Sequence, residues 1–401
     1  MLFPPFKDFY QWKSSTRVIA GLDLISSAGF EFVKEGASRA LLVTDEVIRG
    51  TGLVDRVEAG LVDGGVEVAG IFDAVPQDSD TEVVVACAER AKELGADSLM
   101  AVGGGSVMDT TKAANIIFSH GGAVRDYEGV MLLPRAADGM GKPLPLAPLA
   151  AIPTTAGTGS EASAAAVVKD RAEGLKVEII DIGLFPDLAI LDPAATETLP
   201  AAIAAATGMD ALTHAIEGYV SSEWNAHGDA TSLHAMRMIR SNLERAVADT
   251  SDVDARGNML VAADLAIQAS GSGAIGITHS MSHPCGGQYG VPHGVANAIN
   301  LPWVIEWNAA GGEEIADRYR TVAAELGVDV AGDGAEVGSA LADEVRGLVE
   351  RLGLPTRLSA VGVPEEGIPA LVEGAMGDGC TLVNPREPTE EDFTELYRRE
   401  I

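Results

Sequence analysis

Basic residues are scarce in this chain: 28 Lys and Arg stand against 59 Asp and Glu among 401 residues, a formal charge of −31. A polyanionic backbone would be repelled over most of such a surface, so nucleic acid is excluded as a partner class. Cysteine is equally sparse. Cys87, Cys285 and Cys380 are odd in number, widely spaced and form no CxxC motif. That excludes a disulfide scaffold and predicts reduced thiols in a cytoplasmic setting. The opening MLFPPFKDFYQW has neither a basic start nor an apolar core, so no signal peptide is expected. No internal repeat of about 20 to 50 residues is present, which removes solenoids. What remains, 47% hydrophobic and 22% charged residues, is ordinary globular composition with room for two or three domains.

The sharpest deficit is local. Residues 265–305 contain no Asp, Glu, Lys or Arg, where average usage predicts roughly ten. The stretch is rich in Gly, Ser, His, Asn and Gln and holds Pro284 and Pro292, unlike a continuous membrane helix. It reads as buried polar chemistry, and no membrane partner is expected.

Periodicity divides the chain. Residues 40–44, 66–72, 98–102, 149–153 and 189–192 read as short strands, and 53–62, 80–94 and 106–118 as the helices between them. This is the alternation of a parallel sheet with crossover helices. Residues 121–148, rich in Pro and Gly, form an excursion expected to be an insertion or lid. Beyond residue 199 the pattern is helical, over 201–219, 226–247, 255–269, 294–306, 313–326 and 338–351. Two domains are expected: 1–195, α/β, and 196–401, all α.

Two glycine-containing loops follow strands. Gly103, Gly104, Gly105 and Ser106 open a helix, where backbone N–H groups and the helix dipole favour phosphate; a tight structural turn explains the triplet equally well. A second loop, Thr154 to Ser160, brings Thr154, Thr155 and Thr158 to the end of another strand. Two such loops in one sheet suggest a dinucleotide across the strand ends. Asp45, at the end of strand 40–44, either caps the next helix or accepts a ribose hydroxyl and disfavours a 2′-phosphate.

The metal-ligand candidates lie further on. Asp210 and His214 are spaced i, i+4 on one helix face. His279, His283 and His293 fall inside the charge-free stretch, where unpaired imidazoles are costly and a metal would satisfy them. One carboxylate with three histidines suits Zn²⁺ or Fe²⁺ with an open position. Of His279 and His283, again i, i+4, either one binds while the other relays a proton. Glu217 stands one turn beyond His214, and Cys285 reads as a buried inert thiol.

These motifs resemble the iron-containing (group III) alcohol dehydrogenases, of dehydroquinate-synthase-like fold. The resemblance rests on Gly103 to Ser106 with Asp109, Pro153 to Glu161, Gly208 to Glu217, Pro292 to Asn297 and Asn384-Pro385-Arg386. It implies an α/β nucleotide-binding N-terminal domain with a parallel sheet, an all-α metal-binding C-terminal domain, and a cleft between them for nicotinamide and metal. It further implies Asp210, His214, His279 and His293 as ligands of Fe²⁺ or Zn²⁺, and His283 as the catalytic group near substrate. Gly103, Gly104, Gly105 and Ser106 would hold the pyrophosphate of NAD. Asp109, Thr154, Thr155, Thr158 and Lys176 would line or reach the cofactor, and Asp45 would select NAD. The implied partner is a small alcohol or aldehyde, and the implied assembly a homodimer or larger homo-oligomer.

Around His279 the chain departs from the family pattern. Ala266-Ile267, Ser270 and Ser272 replace an Ala-Gly pair, a Phe and an Asn, and Ser280-Met281-Ser282 and Cys285 follow, which points to a roomier or more polar pocket. Two other activities use the same residues: hydroxyacid–oxoacid transhydrogenation or nicotinoprotein chemistry with retained cofactor, and redox-inert binding of metal and nucleotide in an assembly.

Overall fold

In the computed structural model, residues 9–135, 142–171, 173, 175–269 and 275–401 are described. Contacts divide the chain into two units, Ser14–Leu199 and Pro200–Ile401, the latter joined by the N-terminal stretch that ends at Lys13.

Six parallel strands form the sheet of the first unit: β1 (Arg17–Ala20), β2 (Arg39–Val43), β3 (Glu67–Phe72), β4 (Ser98–Gly103), β6 (Leu149–Pro153) and β9 (Leu188–Leu191). Their order is β1-β9-β6-β4-β2-β3. A smaller sheet holds β5 (Gly129–Val130), β7 (Ala165–Asp170) and β8 (Leu175–Ile180), with β7 and β8 antiparallel. The helices here are α1 (Ala28–Phe32), α2 (Glu46–Gly50), α3 (Leu53–Asp63), α4 (Thr81–Glu93) and α5 (Gly105–His120).

Strand alternation sends successive side chains to opposite faces. Ala40 and Leu42 pack with Val54, Val57, Leu61, Met100 and Ile152 on one face, and Leu41 and Val43 with Val84, Cys87, Leu99 and Met108 on the other. Because both faces are covered, β2, β4 and β6 are runs of buried residues rather than alternating ones. Each fully buried Leu or Val contributes about 1.5–3 kcal/mol.

The expected strands and crossover helices are found within a residue or two of the sequence reading. The pattern did not reveal β1, β7 or β8. Part of the 121–148 excursion lies outside the described residues; the rest includes a turn at Val124–Tyr127 and β5.

The second unit comprises α6 (Ala201–Val220), α7 (Ala226–Ala248), α8 (Val253–Ala269), α9 (Ile277–Tyr289), α10 (His293–Ala309), α11 (Glu313–Leu326), α12 (Gly334–Arg351), α13 (Ile368–Met376) and α14 (Glu390–Glu400). From Gly208 to Val220 every residue of α6 is buried, including Asp210, His214 and Glu217, because α7, α8 and α10 pack around it. The periodicity missed α9, α13 and α14. In α9, Gly286, Gly287 and Pro284 obscure the helix, yet it runs through Pro284. Among the described residues, no helix is long and apolar enough to cross a membrane.

Contacts place the division between units at Leu199/Pro200, and the N-terminal stretch groups with the helices. The Trp12 indole N–H donates to the Gln268 carbonyl at 3.1 Å, and its ring stacks on His227 at 5.2 Å. Such long-range docking leaves no periodic trace in residues 9–13.

Candidate active site

In the first unit, three adjacent strands end together. β2 leads to Asp45, β4 to Gly103–Ser106 and β6 to Thr154–Ser160, and Thr154 N–H donates to the Gly103 carbonyl at 3.0 Å. These are the carboxyl ends of parallel strands, where open α/β sheets bind ligands. Gly104 is the N-cap of α5 and offers no side chain to the first-turn N–H groups, so those donors are available to an anion. A Cβ on Gly105 would lie 2.9 Å from the Thr158 methyl, and one on Gly104 would lie 3.4 Å from Thr155. The buried Thr155 hydroxyl beside this turn has no hydrogen-bond partner. A cradle that side chains would fill, lined by an orphaned hydroxyl, fits a phosphate-bearing cofactor.

Asp45 caps α2, accepting the Ile48 N–H at 2.8 Å, so the capping role is realised with one carboxylate oxygen. Asp109 turns into the protein: it accepts from the Ser160 hydroxyl at 2.6 Å and from the Val167 N–H at 3.1 Å. Lys112, beside it, donates to Ser160, Ser163 and the Ala165 carbonyl at 2.8–2.9 Å. Burial pulls the Lys112 ammonium down to about 8 despite Asp109 and Glu161. This network braces the Thr154–Ser160 loop from behind. Lys176 lies on β8, near enough to Asp109 to stabilise its carboxylate, which burial otherwise pushes up.

The second site is built from α6, α9 and α10. Helical spacing puts Asp210 and His214 on one face of α6, with 4.0 Å between His214 Nε2 and Asp210 Oδ1. His279 Nε2 lies 3.7 Å and His293 Nε2 3.5 Å from the same oxygen. The His214 and His279 rings stack at 4.7 Å. At the centre sits the Asn297 amide nitrogen, one turn after His293, which donates to Asp210 Oδ1 at 2.8 Å and lies 3.2–3.3 Å from the Nε2 atoms of His293 and His279. Three acceptors thus face one amide with two hydrogens, while the Asn297 carbonyl oxygen is buried without a partner. An excess of lone pairs aimed at one point is what a cation satisfies, so the donor set fits a divalent transition metal.

Glu217 fixes His279. It accepts from the Gly276 N–H at 2.9 Å and the Thr278 N–H at 2.7 Å, capping α9, and its Oε2 lies 2.5 Å from His279 Nδ1. Nδ1 is thereby the donor and Nε2 the acceptor facing the cluster. Gly276 permits this approach, since a Cβ there would lie 2.8 Å from Asn384 and 3.0 Å from Glu217. Burial opposes the charged form, but Glu217 and Asp210 outweigh it and raise His279 to about 9, so a metal binding at Nε2 displaces a proton from it. Against the same burial cost, the three imidazoles hold the Asp210 carboxylate well below its ordinary range.

His283, one turn beyond His279, has its Nδ1 2.6 Å from Asp378 Oδ2, and its ring stacks on His293 at 5.4 Å. The sequence gives no sign of Asp378, 95 residues away. Asn297 was visible only as the end of a motif. Asn384 of the C-terminal motif exchanges amide hydrogen bonds with Asn308 at 2.8 and 3.1 Å and accepts from the start of α9. Cys285 is fully buried, as expected. Ser270 and Ser272 lie outside the described residues.

A doubly covered parallel sheet with a phosphate cradle in one unit, and helices carrying a carboxylate–histidine cluster in the other, define a class of nucleotide- and metal-using oxidoreductases. The chain belongs to the iron-containing alcohol dehydrogenase family: residues 15–193 match the iron-containing alcohol dehydrogenase domain and residues 204–401 the C-terminal domain of the Fe-containing alcohol dehydrogenase family. It is an alcohol dehydrogenase by that membership. It is 36% identical over 389 residues to the NAD-dependent methanol dehydrogenase of Bacillus methanolicus, covering 96% of this chain and 97% of that one. To the lactaldehyde reductase of Escherichia coli K12 it is 38% identical over 370 residues, covering 92% and 93%. The crystal structure of a 1,3-propanediol oxidoreductase superposes with a TM-score of 0.92 at 33% identity, over 98% of this chain and all of that one.

Proposed function

We propose that this enzyme oxidises short primary alcohols with NAD⁺, and reduces the corresponding aldehydes in reverse, at a divalent metal held by Asp210, His214, His279 and His293. The observation that carries this reading is the gathering of Asp210 Oδ1 and two imidazole Nε2 atoms around a single amide. When bound, Fe²⁺ or Zn²⁺ supplies Lewis acidity to the alcohol oxygen, and NAD⁺ supplies the hydride acceptor.

The chain's own residues do the rest. Asp210 brings the one negative charge among the four ligands, and Glu217 holds His279 in the tautomer that presents Nε2. Asp378 accepts from His283 Nδ1–H, leaving Nε2 as the base that takes the alcohol proton. Gly103–Ser106 and the first turn of α5 bind the pyrophosphate, and Thr154, Thr155 and Thr158 line it. Asp109 acts through the loop it braces, and Lys176 reaches the ribose. The second oxygen of Asp45 accepts from the ribose and repels a 2′-phosphate. On this reading the α/β unit binds the dinucleotide, and the helical unit binds metal and substrate. The short alcohols named for the relatives support the substrate class. Cysteines that form no disulfide among the described residues support a cytoplasmic enzyme, and the family resemblance supports a homo-oligomer.

The test is NADH formation over a panel of short alcohols, diols and hydroxyacids, on chelator-treated protein before and after adding Fe²⁺ or Zn²⁺. Metal-dependent turnover is expected, and His279→Ala should lose metal content and activity together. Turnover unaffected by chelation, or a His279→Ala protein that keeps both, overturns the proposal.

A further inference from the structure

A second group of donor atoms converges beside the Asp210 cluster. A ring nitrogen of His283, a carboxylate oxygen of Asp378 and the Cys380 sulfur all lie within 4.8 Å of one another. His283 comes from the middle of α9, and the other two from the turn that follows α13. That turn is locally determined: Asp378 Oδ1 accepts the Cys380 N–H at 2.9 Å. This leaves Oδ2 for His283 at 2.6 Å and brings the thiol against the same carboxylate.

The donor types select among cations. One imidazole, one carboxylate and one thiolate, with a fourth position open to water, match the borderline-soft Zn²⁺. Mg²⁺ and Ca²⁺ require oxygen ligands and would leave the sulfur unused. The carboxylate is already charged: burial opposes ionisation, but the His283 hydrogen bond outweighs it and holds Asp378 well below its ordinary range. The net charge of −31 enriches cations over the whole surface. Of the three cysteines, Cys380 is the only one not fully buried. Cys87 is fully buried with its thiol pushed up to about 12, and Cys285 is shifted further in the same direction by burial and by Glu400.

We propose that His283, Asp378 and Cys380 form a second, zinc-selective site next to the Asp210 cluster, and that Zn²⁺ bound there inhibits the enzyme. Binding forms Zn–N, Zn–O and Zn–S bonds and releases the Nδ1 proton and the thiol proton to solvent, with no change of oxidation state. The inhibitory half rests on the reading of His283 as the proton acceptor, because an imidazole coordinated through Nδ1 loses its hydrogen bond to Asp378 and its basicity at Nε2. The binding half stands independently.

The experiment titrates metal-free full-length protein with Zn²⁺ and, in parallel, with Co²⁺, whose thiolate complexes absorb in the near ultraviolet. Wild type should retain two equivalents of Zn²⁺ and develop the thiolate–cobalt band. Cys380→Ala should retain one equivalent and show no band, and Cys380→Ser serves if the alanine variant folds poorly. Asp210→Asn should lose the other equivalent and keep the band. Excess Zn²⁺ should reduce wild-type turnover about tenfold or more and Cys380→Ala turnover less than twofold. A single equivalent without a band in wild type, or a Cys380→Ala enzyme as zinc-sensitive as wild type, overturns the proposal. Should no alcohol be turned over, the stoichiometry and the band still decide whether the site exists, and the failure belongs to the proposed reaction.

Discussion

His279 Nδ1 lies 2.5 Å from Glu217 Oε2, both groups buried, and the same carboxylate caps the helix that carries His279. One side chain therefore sets both the start of α9 and the direction of an imidazole lone pair. Glu217→Gln keeps the volume but loses the charge that holds Nδ1 protonated. Metal affinity, measured by competition with a chromogenic chelator, should fall about 10- to 100-fold, and a variant with wild-type affinity would show that Glu217 only caps the helix.

Asp45 caps α2 with one oxygen and is proposed to select the cofactor with the other. Asp45→Asn separates the two roles, because Asn caps a helix as well as Asp does. Thermal stability should be unchanged, while the preference for NAD⁺ over NADP⁺ in kcat/KM should relax about tenfold or more, equivalent to ~1.4 kcal/mol. An unchanged preference would assign Asp45 to capping alone.

The close approach of Gly105 to Thr158 predicts a loss of cofactor affinity without unfolding. In Gly105→Ala, the new methyl meets the Thr158 methyl at 2.9 Å and displaces the loop. The NADH dissociation constant, followed by nucleotide fluorescence, should rise about tenfold, as a misplaced cradle loses about 1.4 kcal/mol per decade. Adding Thr158→Ser, which removes that methyl and keeps the hydroxyl, should restore part of the loss.

Asp264 is buried on α8, with Gln268 Nε2 donating to one oxygen at 2.8 Å and its other oxygen unpartnered. Burial pushes its carboxyl up to about 7, against the Gln268 hydrogen bond. The folded protein therefore holds a proton that the unfolded chain releases near 4. Its stabilising contribution is complete below about pH 4 and is lost as pH rises to about 7. Asp264→Asn should raise the melting temperature at pH 8 by several degrees, with the gain vanishing near pH 4. A difference independent of pH would refute this.

Much of the architecture was legible because it follows from local periodicity. The runs at 40–44 and 98–102 are buried on both faces and read as strands. The i, i+4 pairs Asp210/His214 and His279/His283 report helix faces whatever the tertiary context. The absence of charge from 265 to 305 announced the buried polar helix α9, although Pro284 and paired glycines hid its helical form. Strands β7 and β8 escaped notice because their alternation is short and broken by a turn, and β1 because four residues carry little pattern.

The sequence by itself determined the donor types and their spacing along each helix, the two glycine loops at strand ends, and the acidic, thiol-poor character of the chain. These are properties of local geometry and composition. Only the tertiary structure decided which histidine joins Asp210 and which turns to Asp378, and that Glu217 rather than solvent meets His279. It alone brought Cys380 to His283, with nearly a hundred residues between them. Backbone propensity acts over a few residues, whereas convergence of three helices on one point depends on how their apolar faces pack.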